Sequence, residues 1–180
     1  MLRLSYKATR FRVDRSDFVK LIYKLVAMLK KNHRQCSMNN YILIGIATFI
    51  VILNGLIGHF FAPNGILLTP IVLTITTYLI CFETKNIKVI FISILTFLFV
   101  VLNDIFIKLY SGGTHDNEGL GWVHLLLFVG LVPTFGILLS SVLKRNDEKS
   151  INKIVAIILF AILITIHLQL FSNLGLGRHY

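Results

Sequence analysis

Few ionisable side chains fall within or beside the apolar runs of this 180-residue chain, and they limit the chemistry it can offer. Away from the Lys/Arg-rich connections they are His59, Asp104, Lys108, His115, Asp116, Glu118, His124 and His167. Imidazoles and carboxylates brought together bind divalent metals or act as general acids and bases, and two facing imidazoles hold a haem iron. Asp104 and Lys108 are four residues apart with the acid first, the order and spacing of an intrahelical ion pair. The stem of Lys108 is also long enough to snorkel to a membrane surface. His115, Asp116 and Glu118 lie in the glycine-rich stretch Ser111–Trp122, and His124 follows it. Their spacing matches neither HEXXH nor HXXEH, so a solvated turn anchored by Tyr110 and Trp122 outweighs a metal site. His59, Asp104, His124 and His167 fall at similar depth on four different apolar runs. Packed together, they would line one polar vestibule able to take a cation, a small solute or a lipid headgroup. No cofactor is predicted from this set; a divalent metal or a haem is the exception it leaves open. Asn54, a polar side chain well inside the first run, is expected to hydrogen-bond to another helix.

The elements that must position these residues are set by composition. Hydrophobic residues make up 56% of the chain and charged ones 14%. Ordinary soluble domains stand near 45–50% and about 25%. A mean hydropathy of +0.79 agrees. A soluble globular domain is therefore excluded. Five runs approach the roughly 20 apolar residues that cross a bilayer: 41–61, 65–82, 89–110, 122–143 and 154–171. They are too long for strands and lack the alternation of a membrane barrel. The predicted fold class is all-α, a polytopic membrane protein of five transmembrane helices. Pro70 and Pro133 fall inside spans, where neighbouring helices tolerate them. The turn Ala62-Pro63-Asn64 is so short that spans one and two must form an antiparallel hairpin.

Charge placement then predicts orientation. The 18 Lys and Arg exceed the 8 Asp and Glu, for a net charge of +10. Ten basic residues lie in the first 40, Lys85 and Lys88 follow span two, and Lys144, Arg145, Lys149 and Lys153 follow span four. The other set of loops holds only Lys108 and Arg178. The positive-inside rule puts the N-terminus in the cytoplasm and the C-terminus outside, with the histidine-bearing ends outside as well. Residues 16–31 are amphipathic, with Phe18, Leu21, Ile22, Leu25 and Leu29 at helical spacing. They predict a helix on the cytoplasmic leaflet, with Lys20, Lys24, Lys30 and Lys31 on anionic lipid headgroups. The basic stretch is too long for a cleavable signal. Cys36 and Cys81 both map to the cytoplasmic side, where disulfides are rare.

No phosphate-binding loop, GxSxG or Ser/His/Asp arrangement is present. No recognised nucleic-acid module accompanies the basic segment, so nucleic acid is not an expected partner. The expected function is that of a non-enzymatic accessory, assembly or regulatory component, with a protein partner or a second copy of itself. The alternatives are a small oligomeric transporter or channel entered through the vestibule, and a membrane-embedded enzyme acting at the outer leaflet. The uncleaved basic N-terminus and the small size favour a bacterial inner membrane, multi-pass.

Overall fold

The computed structural model describes residues 40–84, 87–112 and 116–176. The 16–31 segment with Lys20, Lys24, Lys30 and Lys31 lies outside them, as do His33, Cys36, Lys85, His115, Arg178 and His179. The described residues form helices and their connections, with no strand. The helices are α1 (Asn40–Phe60), α2 (Asn64–Tyr78, continued by the π-helical turn Leu79–Glu83), α3 (Val89–Tyr110), α4 (Asn117–Lys144) and α5 (Ser150–Leu170). All five, with the π turn counted into α2, are long and apolar enough to cross a membrane. The chain is an integral, multi-pass membrane protein.

Two helix starts precede the hydropathy. α4 begins at Asn117, five residues before the apolar run, because Asp116 caps it: Gly119 N–H donates to Asp116 Oδ1 at 2.6 Å. A helix N-terminus leaves orphan N–H groups that a short acidic side chain satisfies, and this offsets the glycines that read as loop. α5 begins at Ser150, four residues before its run, where the Asn152 side-chain amide donates to Glu148 at 3.1 Å.

α3 is the hub of the bundle, since it packs against each of the other four helices. α2 packs most extensively on α4, α5 mainly on α3, and α1 against both α2 and α3. The apolar core runs through Ala47, Val51, Leu73, Ile92, Val100, Leu127, Leu138 and Phe160. Outward-facing Phe49, Leu53, Ile71, Phe128 and Ile158 stay exposed, as the lipid-facing side of such a bundle requires.

The two ends are tied differently. At one end Arg145 donates to the carbonyls of Ile87 (2.6 Å) and Thr84 (3.2 Å), and so joins the α2–α3 and α4–α5 connections. At the other, α1, α2 and residues 111–112 meet almost backbone to backbone. Ser111 Oγ and Gly112 N–H both donate to the Gly58 carbonyl at 3.2 Å. A side chain on Gly65 would collide with the Gly58 backbone, and one on Gly58 with Ser111. The hairpin expected from the short 62–64 turn therefore closes because Gly65 lacks a Cβ, and the bare Gly58 lets Ser111 approach α1.

Gly65→Ala is accordingly expected to cost about 1–3 kcal/mol through overpacking. Gly45→Ala, where an added methyl meets open space, should be neutral or stabilising by up to about 1 kcal/mol. Thermal unfolding in detergent micelles reads both, and equal shifts would contradict the close approach.

Candidate functional site

Asp104 and Lys108 sit one turn apart on one face of α3, near its Tyr110 end. Lys108 Nζ is 2.8 Å from Asp104 Oδ2, and both side chains are fully buried. α5 brings His167 Nε2 to 2.8 Å from the same oxygen. A carboxylate oxygen only accepts, so Nε2 carries hydrogen and donates. The ammonium also donates to the Phe171 carbonyl at 2.9 Å. That carbonyl lies just past the end of α5, where the last carbonyls have no helical partner and the helix dipole favours a cation. One ammonium thus neutralises an acid on its own helix and caps a neighbouring one.

The chain closes over this cluster. The His167 ring stacks on Phe171 at 5.0 Å and meets Phe97 edge-on at 6.4 Å. Gly175 adopts φ +96°, a region that favours glycine, and lies against the Lys108 carbonyl so closely that a Cβ would overlap it. Lys108 does not snorkel: it is the largest fully buried side chain among the described residues.

A second polar contact lies on the α1 side of the same helix. Asn54 Nδ2 donates to Asn103 Oδ1 at 2.8 Å, the inter-helix bond expected of Asn54. Asn103 and Asp104 are consecutive, so they project about 100° apart, one toward α1 and the other toward α5. Asn54 Oδ1, Asn103 Nδ2 and Asp104 Oδ1 are buried with no hydrogen-bond partner among the described residues. Exchanging oxygen and nitrogen in both amides still leaves one donor and one acceptor over, so this imbalance does not depend on how the amides are assigned.

The other predicted residues are distributed differently. His124, half-buried on α4, is near enough to Lys108 and Asp104 to interact with both charges. His59 does not join them. It lies five residues beyond Asn54, about 140° around the helix, and is exposed while Asn54 faces inward. Its Nδ1–H donates to the Tyr110 carbonyl at 3.0 Å. Asp116 caps α4, and Glu118 lies exposed in a shallow depression with Gly121, Trp122 and Leu125. His115 is outside the described residues. Among the described residues no three His, Cys, Asp or Glu side chains are grouped to hold a metal ion. The Phe171 carbonyl and Asn103 are the partners that sequence reasoning missed; the adjacency of two polar residues inside an apolar run was the available signal for Asn103.

The arrangement is chemically a clamp: one carboxylate oxygen shared by an ammonium on α3 and an imidazole on α5. Lys108→Met leaves the buried Asp104 carboxylate without its cation, with only the His167 N–H against it, and is expected to cost about 3–5 kcal/mol. The double change Asp104→Leu with Lys108→Met should recover most of that loss. Unfolding in micelles as a double-mutant cycle checks this, and additive losses would show that the two groups do not interact.

Compared with known proteins, the chain matches no family model, and neither curated sequences nor solved structures yield a match.

Proposed function

We propose that the protein is a non-enzymatic membrane component that serves as an accessory, assembly or regulatory subunit for other proteins. The observation that carries this is the use made of Lys108, Asp104 and His167. Asp104 Oδ2 accepts from both of the others, Lys108 also donates to the Phe171 carbonyl, and all three side chains are buried. Groups that handle a substrate need access to it, and these are buried by the fold.

The basic residues supply the attachment. The Arg145 end faces the cytoplasm in this reading, because its connections carry Lys88, Lys144, Arg145, Lys149 and Lys153 and the ten basic residues of the first 40 precede α1. Residues 16–31 lie on the anionic leaflet through Lys20, Lys24, Lys30 and Lys31 and hold a protein partner or a second copy close to it. The membrane is a bacterial inner membrane. A small oligomeric transporter is the second reading. The partnerless buried atoms of Asn54, Asn103 and Asp104 favour it, since a hydrated polar layer is what a solute path requires.

Complementation of a deletion strain separates the two. The charge-free double variant Asp104→Leu/Lys108→Met should restore the wild-type phenotype, whereas removal of residues 1–36 should not. Loss of function in the double variant at normal membrane levels would favour transport. Reporter fusions test the orientation: one at the C-terminus should be active outside the cytoplasm and one after Asp147 inside, and the reverse would overturn it.

A further inference from the structure

His59 belongs to a different feature, a groove between α1 and α3 on the lipid-facing side. It is lined by Ile52, Gly55, Leu56, Phe106, Tyr110 and His59. The four residues deepest in it are apolar or lack a side chain. His59 and Tyr110 stand at its mouth, within one residue of the ends of α1 and α3, where spanning helices leave the hydrocarbon. The groove holds about 240 Å³. Ile52 to His59 covers about 10 Å of helix, the length over which an acyl chain can lie along the groove. The small residue in its floor is already used within the molecule: a Cβ on Gly55 would lie 3.2 Å from Phe106 Cβ. Gly55 therefore serves the α1–α3 contact, and no small-residue stripe remains for a second helix. A void at this depth forfeits dispersion contacts on every wall, so the bilayer fills it.

The mouth specifies what the chain is attached to. The Tyr110 carbonyl only accepts, so His59 Nδ1 carries hydrogen and donates to it. In the neutral ring this leaves Nε2 as an acceptor facing the headgroup layer. The exposed rings of Phe60 and Tyr110 flank it, with Phe60 edge-on to His59 at 4.9 Å. An acceptor nitrogen at the interface, beside aromatic rings, suits a cation that bears N–H groups. We propose that the α1–α3 groove is a binding site for a phospholipid with a primary ammonium headgroup, phosphatidylethanolamine, with one acyl chain along Ile52, Leu56 and Phe106 and an ammonium N–H donating to His59 Nε2. A choline headgroup keeps the positive charge but lacks the N–H, and a glycerol headgroup lacks the charge.

Native mass spectrometry of the full chain released from nanodiscs of equal dioleoyl phosphatidylethanolamine, phosphatidylcholine and phosphatidylglycerol tests this. One phosphatidylethanolamine per chain should be retained, about tenfold or more over either competitor, as one hydrogen bond to a charged group supports. Leu56→Trp, which fills the groove from an exposed position, should abolish retention. His59→Ala should bring phosphatidylethanolamine down to the level of phosphatidylcholine. Ile158→Trp, equally exposed but on α5, should change nothing. Equal retention of the three lipids, or unaltered retention in Leu56→Trp, would overturn the proposal. A second polypeptide occupying the groove in place of lipid would overturn it too.

Discussion

Taking an ammonium out of water into hydrocarbon costs several kcal/mol even after relaxation, and an unpaired one is not tolerated. Lys108 is nevertheless fully buried. Everything near that end of the bundle follows from meeting this demand. Asp104 must lie one turn away on the same helix. α5 must end where its Phe171 carbonyl can receive a second N–H, and the residues beyond it return to α3, where Gly175 meets the Lys108 carbonyl. Gly175 supplies the positive φ and the missing Cβ that this return needs. His167 joins as a donor to the same carboxylate, so α5 is bound to α3 by a side chain as well as by packing.

The constraint also explains the asymmetry between the ends. At the Arg145 end the cation serves connections, donating to carbonyls of residues 84 and 87 that have left their helices. At the Lys108 end the cation serves the helices themselves. Between them the α2–α4 contact needs only hydroxyls, such as Thr77 with Thr134 and Ser141 with the Cys81 carbonyl. Single hydrogen bonds of that kind contribute about 1 kcal/mol or less within membranes. Helix hub, ion cluster and folded-back tail are thus one device, and the groove holding His59 lies outside it, between α1 and another face of α3.

Much of this was legible in the residues. Apolar run lengths gave five helices, and the i, i+4 spacing of Asp104 and Lys108 gave their pairing. Sequence also supplied a bond from Asn54 to another helix. Other features depend on contacts between distant segments. Which side of α1 faces inward separates His59 from the polar cluster, and only packing decides that. A backbone carbonyl such as that of Phe171 carries no residue signature at all. The start of α4 was hidden because four glycines in twelve residues outweigh one capping aspartate when propensity alone is considered. The snorkelling expected of Lys108 rested on its nearness to a helix end, and the tail that closes that end is remote in sequence.

The central claim is that Lys108 and Asp104 form a direct, sealed ion pair in the membrane. Solid-state NMR on the full chain in lipid bilayers, with ¹⁵N at Lys108 Nζ and ¹³C at Asp104 Cγ, measures it by dipolar recoupling. The account predicts a strong coupling that reports direct contact, matching the 2.8 Å between Nζ and Oδ2, and an ammonium signal that water-edited spectra do not select. Absence of the coupling, or a Lys108 ammonium that exchanges freely with water, would contradict it.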